Sequence, residues 1–265
     1  MKPKVLILRT AGTNCDKETG FAFYSSGAEV EYLHINALIA DKRKLHDYQI
    51  LAIPGGFSYG DDIAAGKILA NELKYKLQEE LKKFIQDGKL IIGICNGFQI
   101  LVKAGILPGN KGFKQEVTLA LNDSAKFEDR WVYLKIPTPK PQTPKCVWTQ
   151  NLPRIIYLPV AHGEGKFIAQ DKALLKKLAE NNQIVFQYCD KKGELCGYPA
   201  NPNGSELNIA GICDETGRIF GLMPHPERHS SRLQNPARFR EKIKGNIPDG
   251  ALIFRNGVEY VKKRL

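Results

Sequence analysis

The sequence has no long apolar run. Its longest stretches, such as Lys89-Leu-Ile-Ile-Gly-Ile-Cys95, fall far short of the roughly 20 residues a membrane-spanning helix needs. The start, Met1-Lys-Pro-Lys-Val-Leu-Ile-Leu-Arg9, lacks the extended apolar region and small-residue cleavage site of a secretory signal, so a cytoplasmic protein is expected. The six cysteines, Cys15, Cys95, Cys146, Cys189, Cys196 and Cys213, include no C-x-x-C pair, which argues against a local zinc or dithiol motif. A disulfide framework is not expected in a chain of this size without an export signal, and most of the six read as small buried or semi-buried thiols, with Cys95 set apart. Neither the G-x-x-x-x-G-K-[ST] phosphate loop nor the dinucleotide G-x-G-x-x-G is present. There is no internal repeat.

Acidic side chains are also in deficit, 28 against 39 Lys and Arg, for a net charge of +11. A charge of that size suggests nucleic acid, but its location does not. Residues 228–265 hold ten basic and three acidic side chains, so +7 lies in the last 38 residues and only +4 in the 227 before them. The excess reads as a solvated terminal segment rather than a folded basic face. Neither a nucleic-acid nor a membrane partner is expected.

What is present is an average globular mix, 43% hydrophobic and 25% charged. In the first half, the apolar runs Val5–Leu8, Val30–Ile35, Ile50–Ile53 and Leu90–Ile94 suit strands buried on both faces of a parallel sheet. Helical patterns lie between them. The clearest spans about Gly66–Gln86, where Ile68, Leu69, Leu73, Leu77, Leu81, Phe84 and Ile85 form one stripe and Gly88 is a stop signal. The second half is richer in strands, at Trp131–Ile136, Ile155–Val160, Ile184–Tyr188, Ile209–Cys213 and Ile219–Leu222, with a helix over Asp171–Asn181. The five prolines of Pro137–Pro153 mark a connector. The expected fold is α/β: a flavodoxin-like, parallel-core sheet with helices on both faces and added strands in the second half. Residues 1–235 form one domain, and residues 236–265 a basic extension packed on it or trailing from it.

The most informative peptide is Gly93-Ile-Cys95-Asn-Gly97. It sits between an apolar strand and an amphipathic stretch, the strand–turn–helix form of the G-x-S-x-G nucleophile elbow with Cys in place of Ser. Glycines two residues either side prevent collisions between strand and helix at the strained turn. The turn also puts Cys95 at a helix N-terminus, where free N–H groups and the helix dipole favour an anion. A cysteine nucleophile needs a base. His225 lies just past the last strand in Met223-Pro-His225-Pro-Glu227, with its backbone stiffened by proline on both sides. In an extended segment Glu227 points the same way and reaches the ring. A Cys95–His225–Glu227 triad follows, in which Glu227 fixes the tautomer. Pro54-Gly-Gly56 follows the strand Ile50–Ile53 at the ligand-binding edge of the sheet, so the N–H groups of Gly56 and Asn96 are the natural oxyanion donors. In Ser58-Tyr-Gly-Asp-Asp62 the adjacent carboxylates point apart, and no metal is expected.

Gly-Ile-Cys95-Asn-Gly-Phe-Gln, Pro-Gly-Gly56 and His225-Pro-Glu227 together resemble the class I glutamine amidotransferases. Longer peptides resemble, within that family, the glutaminase subunits of phosphoribosylformylglycinamidine synthase. These are Pro54-Gly-Gly-Phe-Ser-Tyr-Gly-Asp61, Asn122-Asp-Ser124, Pro159-Val-Ala-His162-Gly-Glu-Gly165, Tyr198-Pro-Ala-Asn-Pro-Asn-Gly-Ser205 and Phe220-Gly-Leu-Met-Pro-His-Pro-Glu-Arg228. The resemblance runs from about Lys4 to Arg228. It implies hydrolysis of glutamine to glutamate and ammonia. The ammonia would pass to a large synthetase subunit that uses ATP and magnesium to turn formylglycinamide ribonucleotide into its amidine in purine biosynthesis, with a small subunit bridging the complex. No cofactor is implied for this chain, which fits its missing phosphate loop. Gln99 would help bind glutamine, and Asn122 and Ser124 would line the pocket. His162 would lie near the site or the synthetase interface without acting as the base.

Two stretches depart from the compact family pattern. Pro137–Lys145 is rich in Pro and Lys. In the second, Pro236–Leu265, residues 235–244 suggest a basic helix and Ala251–Tyr260 a strand pair about an Asn256-Gly257 turn, and the tail from Arg228 onward is expected to dock on an acidic partner surface or near a phosphate-bearing substrate in the complex. Two other functions remain open: a Cys-elbow hydrolase of a related flavodoxin-like family, and a binding protein with an inert Cys95 whose tail grips RNA.

Overall fold

The apolar runs of the first half become parallel strands. β1 (Lys4–Arg9), β2 (Glu29–His34), β3 (Ile50–Ile53) and β4 (Leu90–Ile94) alternate with α1 (Asp16–Ser25), α2 (Ile35–Ala40), α3 (Lys67–Lys76) and α4 (Gln78–Gln86). α5 (Asn96–Lys103) follows β4 after a single residue. The second half holds β5 (Val117–Ala120), β6 (Glu128–Lys135), β7 (Ile155–His162), β8 (Lys166–Ala169), α6 (Lys172–Glu180), β9 (Ile184–Cys189), β10 (Ile209–Cys213), β11 (Ile219–Leu222) and α7 (Asp249–Arg264). The structure, a computed structural model, describes residues 2–109, 111–138, 146–238 and 247–264.

Nine strands form one sheet in the order β2-β1-β3-β4-β11-β10-β9-β6-β7, and β5 and β8 pair separately. From β2 to β11 every pairing is parallel; from β11 to β7 every pairing is antiparallel. The parallel part has the 2-1-3-4-5 order of the flavodoxin-like fold, as expected, and the antiparallel part supplies the added strands. Every residue of β3, β4, β10 and β11 is buried, so both faces of the sheet's centre are covered. α1 packs on β1 and β2 with α7 beside it, and α5 packs on β3, β4 and β11 with α3 beside it.

Some local signals act as expected. Asp171 caps α6 by accepting the Leu174 N–H at 2.8 Å, and Gly88 takes the left-handed φ of a helix stop at +80°. Others do not. The stripe over Gly66–Gln86 is two helices, broken at Leu77 (φ −124°, ψ 11°), which stays buried as the hinge between them. A continuous stripe cannot reveal such a break, because both helices present their apolar faces to the same core.

The expected strand pair at Ala251–Tyr260 is wrong. The segment lies within α7, whose Ile253, Phe254, Gly257, Val258 and Val261 recur at helical spacing and are buried. The Asn-Gly pair has a packing role instead. A Cβ on Gly257 would stand 2.5 Å from Trp148 Cζ3, so glycine lets the helix approach the indole. Asn256 donates to the Trp148 and Gln150 carbonyls at 3.0 and 2.6 Å. Phe254 meets Phe23 of α1 edge-on, centroids 4.9 Å apart. This face of α7 is core, while Arg255, Lys262 and Lys263 stay exposed on the other. Most of the expected basic helix, and residues 139–145 of the connector, lie outside the described residues.

Candidate active site

The elbow is built as its glycines require. Cys95 joins β4 to α5 at φ 51° and ψ −106°, a strained backbone that costs about 1–3 kcal/mol. Its N–H is held by the Leu222 carbonyl at 2.8 Å. A Cβ on Gly93 would lie 2.5 Å from the Gly97 carbonyl oxygen, and one on Gly97 would lie 1.9 Å from the Ile53 carbonyl oxygen. The Cys95 thiol donates to the Ala161 carbonyl at 3.6 Å.

β11 lies beside β4, so the segment after β11 arrives next to the elbow. The His225 N–H bonds the Pro159 carbonyl at 2.8 Å, which anchors it to β7. Pro226 starts a short 3₁₀ turn over Pro226–His229, and this turn, rather than an extended strand, brings Glu227 Oε1 to 2.6 Å from His225 Nδ1. Both side chains are fully buried. His225 Nε2 and Glu227 Oε2 are buried without a hydrogen bond. Burial opposes the charged ring, yet Glu227, with smaller help from Cys95 and Cys15, holds His225 well above the usual imidazole range.

Gly55 and Gly56 close the site from the end of β3. A Cβ on Gly55 would meet His225 Cε1 at 2.8 Å, Cys15 Sγ at 3.2 Å and Cys95 Cβ at 3.5 Å. Gly56 (φ 145°) faces Thr13 in an antiparallel bridge made by Asn14 N–H to the Gly55 carbonyl and Phe57 N–H to the Gly12 carbonyl. Both bonds flank Gly56 and leave its own N–H outside the bridge.

Asn96 and Gln99 tie α5 to two loops. Asn96 Oδ1 accepts the Ser58 N–H at 3.1 Å, and its Nδ2 donates to Asp61 Oδ1 at 3.1 Å and Gln99 Oε1 at 3.0 Å. Gln99 Nε2 donates to the Glu164 carbonyl at 2.6 Å. Buried Lys103 donates to the Ala65 carbonyl at 2.6 Å and faces Glu164 at 3.7 Å. Asp61 is thus a ligand for backbone and amide, accepting also the Gly66 N–H at 3.0 Å, and burial raises its pKa.

His162, at the end of β7, is buried in a second network. Its Nδ1 meets Asn122 Oδ1 at 3.2 Å and its Nε2 meets Asn203 Nδ2 at 3.5 Å. Burial first, and the nearby His225 second, push its pKa down to about 4, so the ring is neutral. Asn122 is fully engaged: Nδ2 donates to the carbonyls of Lys126 and His162, and Oδ1 also accepts the Gly165 N–H at 3.0 Å. Its amide is thereby committed to His162 and to the backbone around it. Ser124 Oγ donates to Glu128 Oε1 at 2.7 Å, in a cluster with Arg130 and Tyr198.

A family model described as the CobB/CobQ-like glutamine amidotransferase domain matches residues 2–261. The chain belongs to this glutamine amidotransferase family. Its relatives include proteins named phosphoribosylformylglycinamidine synthase subunit PurQ. One from Dehalococcoides mccartyi is 50% identical over 263 residues, 99% of either chain. One from Archaeoglobus fulgidus is 45% identical over 275 residues, 98% of this chain and 97% of its own. Among solved structures, a chain of the Thermotoga maritima PurLQS structure is 32% identical with a TM-score of 0.73, covering 98% of this chain and all of that one. Among the described residues, no helix of this amidotransferase is long and apolar enough to cross a membrane.

Two residues at the centre of this amidotransferase's site escaped the sequence reading. Cys15 is buried, as a small structural thiol would be, yet its Sγ lies 3.9 Å from His225 Nδ1 and accepts a hydrogen bond from Arg228 Nη2 at 3.2 Å. Gly55 was passed over for Gly56. The signal for Cys15 is topological: it ends the loop after β1, and β1 lies beside β3 in the sheet, so that loop and Pro54-Gly-Gly56 share one edge.

Proposed function

We propose that this chain hydrolyses glutamine to glutamate and ammonia through Cys95, His225 and Glu227. It would act as the glutaminase subunit of a phosphoribosylformylglycinamidine synthase. The observation that carries the reading is a strained cysteine elbow beside a buried histidine whose Nδ1 is fixed by a carboxylate at 2.6 Å while its Nε2 makes no hydrogen bond.

His225 takes the thiol proton and Cys95 attacks the side-chain carbonyl carbon of glutamine. The N–H groups of Gly56 and Asn96 hold the oxyanion, one outside its bridge and the other in the first turn of α5. The C–N bond breaks as His225 protonates the departing ammonia. Water then gives a proton to His225 and attacks the thioester, releasing glutamate and restoring the thiol. Glu227 keeps Nδ1 protonated and supports the imidazolium. Gln99 retains one donor and one acceptor for glutamine beyond its bonds to Asn96 and Glu164. Asn122 acts from behind, holding His162 and the Gly165 loop.

The ammonia passes under cover to a large synthetase subunit, which binds ATP and magnesium and makes the amidine in the cytoplasm, with a small subunit bridging the two. The names of the relatives support this assignment. The test is glutamate release by the chain, alone and with its synthetase, together with labelling by a glutamine-derived diazoketone. Synthetase-stimulated glutamate release that is lost in Cys95→Ala, with the label on Cys95, supports the proposal. Release that survives Cys95→Ala, or none from any preparation, rejects it.

A further inference from the structure

Cys15 is a buried nucleophile that the proposed reaction does not use. Its Sγ, His225 Nδ1 and a Glu227 carboxylate oxygen all lie within 4.8 Å of one another, and all three side chains are buried. We infer that these three groups form a zinc site on the Nδ1 edge of the histidine, away from the Nε2 edge assigned to catalysis.

The donor set is a thiolate, an imidazole nitrogen and a carboxylate. Zinc accepts that mixture, commonly as three protein ligands with water in the fourth position, whereas the thiolate disfavours magnesium and calcium. Bond lengths of about 2.0–2.3 Å to a tetrahedral ion place donor atoms roughly 3.3–3.7 Å apart. The pairs here straddle that spacing, Nδ1 to Oε1 at 2.6 Å and Nδ1 to Sγ at 3.9 Å, so small shifts admit the ion. Glu227 Oε2 is a buried carboxylate oxygen with no hydrogen bond, a lone pair already free of water. Cys15 Sγ also contacts Asn14 Oδ1 at 3.1 Å and accepts from Arg228, which pairs with Glu18 at 3.5 Å. The Cys15 thiolate and the Glu227 carboxylate are balanced by Arg228 and a protonated His225, so the cluster turns net negative only when the ring gives up its Nδ1 proton in favour of the ion. On binding, one proton leaves Cys15 and one leaves Nδ1 for solvent, and no electron moves.

The ion replaces the Nδ1 proton that Glu227 holds, so the ring can no longer cycle as an acid and base. That inhibitory consequence rests on the glutaminase reading, while the site itself does not.

Zinc binding to the purified full chain under reducing conditions, followed by competition with a chromogenic chelator, tests the site. Co²⁺ serves as an optical probe through its thiolate charge-transfer band. One ion per chain is expected in the wild type and in Cys95→Ala. Cys15→Ser, which keeps the side-chain volume, and Glu227→Gln are each expected to weaken binding by at least about tenfold. Failure of the wild type to bind, or binding lost in Cys95→Ala and kept in Cys15→Ser, overturns the assignment; the latter would put the metal on Cys95 and Nε2. Inhibition of glutamate release by zinc, relieved in Cys15→Ser, extends it to the enzyme. If zinc binds as described but no preparation releases glutamate, the site stands and the glutaminase reading falls.

Discussion

Two buried histidines lie close enough to feel one another's charge, one at the end of the edge strand β7 and one just past the central strand β11, and they are held in opposite ways. His162 ends an antiparallel strand, and both its nitrogens meet side-chain amides. His225 follows β11, where the sheet turns from parallel to antiparallel pairing; one nitrogen is locked to a carboxylate and the other makes no hydrogen bond. Burial pushes both rings toward neutrality, and an ionised partner on one of them reverses the outcome: His162 is held down to about 4 and His225 well above the usual range. The lesson concerns what is left over. A fully partnered ring is part of the framework, while a ring with one orphaned nitrogen beside a strained thiol has chemistry still to do.

That contrast can be pushed hardest by removing the thiol it depends on. Cys95→Ala is expected to lower kcat for glutamate formation by about 10⁶-fold, the scale of losing a nucleophile outright, as measured in the complex with the synthetase. Glu227→Gln gives His225 an amide partner like those of His162. It should cost about 10³–10⁴-fold in kcat with the fold intact by circular dichroism. If Glu227→Gln retains most of the activity, the carboxylate is not what separates the two rings.

Changes on the other side should act on stability. Asn122→Ala strips His162 and the Gly165 N–H of a shared acceptor and frees two carbonyls, for a loss of about 1–3 kcal/mol in urea unfolding. Gly165→Ala would put a Cβ 2.3 Å from the His162 ring and should cost a similar 1–3 kcal/mol. A kcat loss as large as that of Glu227→Gln in either variant would erase the distinction.

A last contrast is in pH dependence. The His162 ring takes up a proton less readily when folded, at about 4, than when unfolded, at about 6.5. Its contribution is therefore fully present above about pH 6.5 and is lost as pH falls toward 4, because the unfolded ring binds a proton that the buried one refuses. His225, shifted upward, has the opposite sign: its contribution is present below about 6.5 and is lost as pH rises through its raised folded value. Urea midpoints of His162→Gln between pH 6.5 and 4 should fall less steeply than those of the wild type.

The parallel half was legible because its strands are apolar on both faces and its elbow is one contiguous peptide whose glycines have a steric reason. Cys95, His225 and Glu227 could be read from local motifs, although the 3₁₀ turn that joins the last two could not. Asn122 was visible as part of a motif, but its role is set by partners some 40 residues away, at His162 and Gly165. Cys15 lies 210 residues from His225, a distance that only the sheet order closes. Asn256-Gly257 misled because a turn signal and a close-packing site use the same residue.

The placement of α7 bears on how the chain is made. α1 is complete within the first 25 residues, yet Phe254, the ring that covers its Phe23, belongs to the last helix. Synthesis proceeds at about 5–20 residues per second, so the face of α1 that takes Phe254 waits roughly 10–50 seconds for its cover. Until α7 has been made the nascent polypeptide carries an uncovered aromatic patch, and closure of the domain is deferred to that point.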